Sequence, residues 1–164
     1  ASGGLDEYQL EALAREATPI DSYGVGTKAG VSADAPWSDM AYKLVCYEQR
    51  PVTKLSAGKS YLPGAKQIYR VSDLEGRLSR DIIAMEHEDL PGGEPLLEPM
   101  MSDGRRTGPE SSLQSMQQRF VDDFQRLDGH FKLLQNPPHY PVSYSSRLEK
   151  LAAEVVNTIK GVCE

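Results

Sequence analysis

Two glycine-bearing segments open the chain, Ser2-Gly3-Gly4-Leu5-Asp6-Glu7 and Asp21-Ser22-Tyr23-Gly24-Val25-Gly26-Thr27, and one short amphipathic stretch joins them. That pairing leaves few folds open. Between the segments Leu5, Tyr8, Ala12, Leu13 and Ala17 recur at helical spacing, and Asp6 and Glu7 stand in the first turn, where the helix dipole favours acids. The spacing predicts a short helix within residues 5–17. It ends near Thr18-Pro19, because proline disfavours helical geometry at the residue before it and starts an extended step. Loop, helix, short strand, loop is the repeating unit of an α/β barrel or a doubly wound sheet.

The chemistry of the two segments points to phosphate. A dianionic phosphate needs several backbone N–H donors at close range, and residues without a Cβ let the backbone approach it or adopt positive φ without steric cost. Each segment also carries a hydroxyl that reaches the same kind of oxygen. Ser2, Gly3, Gly4, Gly24, Val25, Gly26 and Thr27 are the candidate phosphate-binding residues. Two readings compete with this one. Gly24-Val25-Gly26-Thr27-Lys28-Ala29 formally fits the dinucleotide fingerprint, which should open a long helix, but Gly30-Val31-Ser32-Ala33-Asp34-Ala35-Pro36 is a poor helix sequence. The other reading makes the glycines turn formers only. Gly58-Lys59-Ser60 imitates the end of a Walker A loop, yet Thr53 stands where that pattern needs glycine. The first segment begins at position 2 with no strand before it, so the chain is expected to be the C-terminal part of something larger.

From Ala41 the period changes. Residues 41–48, 51–56, 66–72, 80–87 and 94–101 are short, partly alternating runs punctuated by Gly, Pro, Asp and Ser, and they predict about five strands, mostly antiparallel. Leu62-Pro63-Gly64-Ala65 and Leu90-Pro91-Gly92-Gly93 place Pro before Gly as a type II turn prefers. After a capping-box pattern at Thr107-Gly108-Pro109-Glu110, Leu113, Met116, Phe120, Phe124, Leu127, Phe131 and Leu134 recur at helical spacing. That stripe, with Met100 and Met101, is expected to be core. Gly129 weakens or divides the helix, and Asn136-Pro137-Pro138 stops it. A last helix is predicted from a second capping box, Ser146 to Glu149. The expected fold is therefore α+β (α/β), with an end of an α/β barrel at 1–40, a β-rich, sandwich-like segment at 41–107 and a helical segment at 108–164.

Composition bounds the partners. A net charge of −6 argues against nucleic acid or an anionic membrane surface as partner. No apolar run approaches the ~20 residues of a membrane span, and the first residues lack a signal peptide's basic and apolar regions. A soluble, cytoplasmic protein is expected. Cys46 and Cys163 form no C-x-x-C pair, which predicts neither a zinc site nor a disulfide framework. His87, His130 and His139 are expected as strand or surface residues. Lys43, Lys54, Lys59 and Lys66 read as solvated strand lysines, with Lys43 kept as a contact to a polyphosphate.

Several motifs in register carry a resemblance. Ser2-Gly3-Gly4-Leu5-Asp6-Glu7, Ile20-Asp21-Ser22-Tyr23-Gly24-Val25-Gly26-Thr27, Asp34-Ala35-Pro36, Tyr42-Lys43-Leu44-Val45, Lys54-Leu55-Ser56 and Leu62-Pro63-Gly64-Ala65-Lys66-Gln67-Ile68-Tyr69-Arg70 resemble, in order, the C-terminal half of nicotinate phosphoribosyltransferase. Glu94-Pro95-Leu96-Leu97, Gly104-Arg105-Arg106 and Tyr140-Pro141-Val142 continue the match over nearly the whole chain. The resemblance implies an enzyme of NAD salvage that joins nicotinate to phosphoribosyl pyrophosphate, giving nicotinate mononucleotide and pyrophosphate, with Mg2+ and coupled ATP hydrolysis, as a homodimer. It assigns the glycine segments to the 5′-phosphate at the mouth of an incomplete barrel. It leaves the catalytic residues to an N-terminal half, so this part alone is expected to be inactive. Lys28-Ala29-Gly30 departs from the family's usual Arg and aliphatic residues, and Gly4 from a common Asp. A nicotinamide-type or quinolinate-type phosphoribosyltransferase, or a non-catalytic phosphate-ligand or interaction module, are the alternatives.

Overall fold

A computed structural model describes residues 1–108 and 110–162, with Val162 by its backbone alone. Cys163 and the Pro109 of the first capping pattern lie outside the described residues. The chain mixes helix and sheet in two compact units, one of residues 1–42 with 133–136, the other of residues 43–132 with 137–164.

The first unit is built from strand β1 (Ser2–Leu5), helix α1 (Glu7–Arg15), strand β2 (Gly24–Val25) and a single helical turn α2 (Thr27–Gly30). The parallel pairing of β1 with β2 makes a β-α-β unit, where the sequence predicts loop, helix, short strand and loop. The first glycine segment differs from expectation. It is itself a strand, because its backbone finds partners in the second segment rather than standing free. Helix α1 starts at Glu7, two residues later than its periodicity alone would place it, since Asp6 caps it from an extended conformation.

The second unit centres on a four-stranded sheet. Strand β3 (Cys46–Tyr47) and strand β4 (Arg50–Pro51) first form a small hairpin. Strand β5 (Lys66–Ser72) and strand β6 (Leu78–Met85) then pair antiparallel, with Ile68 opposite Ile83 and Arg70 opposite Asp81. The Asp73 carboxylate shapes the turn between them by accepting from the N–H groups of Glu75 and Arg77. Strand β7 (Gly93–Pro95) adds to the other edge of β5, where Gly93 is needed because a Cβ there would stand 2.9 Å from the Cβ of Tyr69. Strand β8 (Met101–Ser102) and strand β9 (Arg105–Arg106) make a second small hairpin. The predicted strands at 41–48, 51–56 and 94–101 thus shrink to short pieces. Helix α3 (Leu113–Arg126) follows, capped by Ser112, and then a 3-10 turn at Gly129–Lys132.

Strand β10 (Val142–Tyr144) returns to pair with β6, in parallel, giving the order β10-β6-β5-β7. Sequence pattern missed β10, because Val142-Ser143-Tyr144 is too short to show a period and sits between helices. Helix α4 (Ser146–Val162) buries Leu148 completely. Its cap is Ser145 rather than Ser146: the Ser145 hydroxyl accepts from Leu148 N–H at 3.2 Å and the Ser145 carbonyl from Glu149 N–H at 3.0 Å. Leu151 and Met85 close over Gly64, whose φ of +77° is the glycine-favouring conformation that the Pro63-Gly64 turn requires.

The stripe expected as core is not core. No residue of α3 is buried; Leu113 is 85% exposed and Phe120 66%, and Met100 and Met101 lie open as well. Polar groups hold the helix instead. The Arg126 guanidinium donates to Gly76 O and Ser72 Oγ, and Arg70 lies 3.7 Å from Asp123. A helical period reports an apolar face, and here that face is covered only in part: Lys132 lies 4.9 Å over the Phe124 ring and Phe131 meets Tyr140 edge-on, while Leu113, Met116 and Phe120 stay open.

Candidate functional site

The candidate site is built where the two glycine segments run side by side in the first unit. Ser2 pairs with Gly24 and Leu5 with Val25, so β1 carries two more residues than β2 across the same span. The surplus is absorbed by Gly3 and Gly4, at φ +113° and +69°, which a residue with a Cβ would resist. On the facing strand a Cβ at Gly24 would stand 2.9 Å from Ser2 Cβ. Three of the glycines are therefore fixed by the pairing of the strands.

Gly26 is different. A Cβ there would meet no atom within 4 Å, so no packing contact asks for glycine at this place, where the backbone turns at φ −128° and ψ −123°. Gly26 is also the N-cap of α2, with no side chain bonded to the exposed N–H groups of that turn, and Thr27 follows it. Ser2, Gly3, Gly4, Gly24, Val25, Gly26 and Thr27 are all exposed. The structure thus brings the seven candidates together at one edge of the unit. Lys43 belongs to the second unit, exposed and outside regular secondary structure.

Two further side chains belong to this edge, and the sequence reading gave neither a site role. Asp6 closes a reciprocal cap on α1: its Oδ1 accepts from Gln9 N–H at 3.0 Å, and Gln9 Oε1 accepts from Asp6 N–H at 3.2 Å. Its other oxygen takes the Lys28 ammonium at 2.8 Å. The Lys28 bond, then the Gln9 N–H, hold the Asp6 carboxyl below the usual aspartate range. Asp-x-x-Gln before the helix was readable as a cap; the partnership with Lys28, 22 positions away, has no local signal. On α1 the Tyr8 hydroxyl donates to Asp34, whose charge pushes the phenol's pKa up.

Other candidates fall away. Lys66, pushed down by burial, spends its ammonium on the carbonyls of Leu62 and Gly64 and so locks its own turn. His87, His130 and His139 are exposed; His87 lies beside Glu86, and His130 is bonded to Asp128. A cleft of about 520 Å³ in the second unit is lined by Glu94, Glu98, Asp122 and Asp123 against Arg70 and Arg119. Arg70 is already forked onto Asp81 at 3.1 and 3.0 Å, so that cleft presents acid and does not suit a phosphate. Among the described residues no group of three His, Cys, Asp or Glu converges as a metal site, and no helix is long and apolar enough to cross a membrane.

Comparison with known proteins identifies relatives. Residues 92–152 match the family model described as the nicotinate phosphoribosyltransferase C-terminal domain. The nicotinate phosphoribosyltransferase pncB2 of Mycobacterium tuberculosis is 39% identical over 150 residues, which cover 90% of this chain and 32% of that protein. The rat nicotinate phosphoribosyltransferase is 28% identical over 174 residues, covering 92% of this chain and 32% of its own length. The crystal structure of human nicotinic acid phosphoribosyltransferase shares the fold, with a TM-score of 0.74 at 23% identity over 94% of this chain and 32% of that one. The chain spans about a third of the length of these relatives.

Proposed function

Because the chain belongs to the nicotinate phosphoribosyltransferase family, as a C-terminal part of such a protein, we propose that it supplies the 5′-phosphate anchor of an enzyme joining nicotinate to phosphoribosyl pyrophosphate. The products are nicotinate mononucleotide and pyrophosphate, with ATP hydrolysis coupled to turnover, in NAD salvage. The observation that carries the reading is Gly26. Its neighbours need glycine to pair the strands, whereas Gly26 faces open space at the uncapped start of α2. A glycine that no packing contact requires, beside N–H donors that no side chain caps, fits a backbone surface kept bare for an anion.

Displacement at C1 of the ribose passes through an oxocarbenium-like species, and catalysis there depends on positioning and electrostatics. Holding the distant phosphate supplies binding energy away from the reacting carbon. Ser2 and Thr27 add hydroxyl donors to the backbone set, and Lys43 is a candidate contact to the polyphosphate. In this reading β1-α1-β2 is the end of an incomplete barrel, and the catalytic residues lie in a preceding part. The whole enzyme is a cytoplasmic homodimer using Mg2+. Among the described residues no group of three His, Cys, Asp or Glu converges to hold that ion.

Titration with ribose 5-phosphate tests the anchor. The unaltered chain should bind it, and Gly26→Asp should lose at least about tenfold in affinity, because the substitution adds a like charge where there is room for the side chain. Equal affinity would leave the glycines as turn formers. Nicotinate mononucleotide formation by this polypeptide alone should be absent, and clear turnover would refute the placement of the catalytic groups elsewhere. The exposed apolar face of α3 favours one second reading, an interaction module. Absence of binding to both ribose 5-phosphate and nicotinate mononucleotide would support it.

A further inference from the structure

We infer that Lys28 is a positioning residue of the anchor: by pairing with Asp6 it cancels the carboxylate at the junction of β1 and α1 and keeps the adjoining edge open to a dianion. The inference rests on the phosphate-anchor reading above. Asp6 is held in place by the fold, since it follows buried Leu5 on β1 and closes both halves of the cap on α1. Left unpaired, its charge would stand at the same edge as the proposed phosphate and repel it. Lys28 comes from the first turn after Gly26 and reaches the free carboxylate oxygen at 2.8 Å.

The pair also spans the two segments. One oxygen of Asp6 serves α1, the other takes Lys28 of α2, and β1 and β2 pair side by side. Asparagine would cap α1 as well as aspartate does. The charge at position 6 therefore matters for Lys28, not for the cap. An ammonium neutralised by Asp6 is also less free to bind phosphate itself, so its effect on the ligand runs through the carboxylate.

Titration of ribose 5-phosphate into the chain and four variants at low salt separates the roles. Lys28→Met should weaken binding about tenfold, Lys28→Arg should bind like the unaltered chain, and Asp6→Asn should bind at least as tightly. The deciding variant is Asp6→Asn with Lys28→Met, which should recover most of the loss. A cross-link with only a structural role would not be rescued by removing its second half. Unchanged binding in Lys28→Met, or a double variant as weak as Lys28→Met, would overturn the inference while leaving the anchor standing. Absence of binding by the unaltered chain would overturn the anchor and this inference with it. Half of the Lys28 side chain is exposed, and matching far-UV circular dichroism of Lys28→Met and the unaltered chain confirms that a lost affinity is not a lost fold.

Discussion

Ser145 and Glu88, 57 positions apart, share a buried hydrogen bond: the Ser145 hydroxyl donates to Glu88 Oε2 at 2.7 Å while accepting from Leu148 N–H. The same carboxylate oxygen accepts from Met85 N–H, and the Glu88 carbonyl accepts from the Tyr69 hydroxyl. One serine thus fixes the start of α4 to the end of β6. Ser145→Ala should lower stability by about 2 kcal/mol, because it removes a cap and deprives a buried carboxylate of a donor. Ser146→Ala, the cap expected from sequence, should stay within about 0.5 kcal/mol of the unaltered chain. Urea unfolding of both variants checks the assignment.

Gly24 and Gly26 are two positions apart and should fail in different ways. Gly24→Ala forces a Cβ to 2.9 Å from Ser2 Cβ and should cost about 1–3 kcal/mol as overpacking, shown by a lower midpoint in thermal unfolding. Gly26→Asp should leave that midpoint close to its original value while abolishing most ribose 5-phosphate affinity. Equal losses of stability would contradict the open space at Gly26.

The β3–β4 hairpin turns through Glu48 and Gln49 at φ +47° and +63°. Neither residue favours that conformation, whereas Asn-Gly does in a two-residue hairpin. Replacing the pair by Asn-Gly should raise stability by about 1 kcal/mol, read as a shift of the urea midpoint with unchanged slope.

Acid titration reports the Asp6–Lys28 pair. The Asp6 carboxyl is held down in the fold, so its contribution is present above the unfolded value and is lost as pH falls through the lowered folded value. The window lies below about pH 4. Carbon-detected NMR should find Asp6 titrating at lower pH than an ordinary aspartate, and Lys28→Met should move it upward. An Asp6 that titrates identically in both proteins would mean the ion pair does not form in solution.

Legibility of the sequence followed the range of the interaction. The helix after the first glycine segment and the β5–β6 hairpin show in local spacing, because turn chemistry and capping act within a few positions, whereas the pairing that makes Ser2–Leu5 a strand does not. The Asp6–Lys28 pair and the Glu88–Ser145 bond join residues distant in sequence and leave no local period. The stripe of Leu113, Met116, Phe120 and Phe124 was legible as a helix but not as an exposed one. Amphipathicity identifies an apolar face; it does not say whether this chain supplies the cover.

The return of β10 to β6 sets an order of assembly. One edge of β6 stays unpaired until the ribosome has passed α3 and released Val142–Tyr144. A nascent or truncated chain ending before that strand carries the β5–β6 hairpin with an open edge, a template for pairing with another chain. Ser145 follows immediately, so the residues that close the edge and those that fasten α4 emerge together. Folding of the second unit should therefore complete only after Val142–Tyr144 has emerged, in one step that couples sheet closure to helix docking.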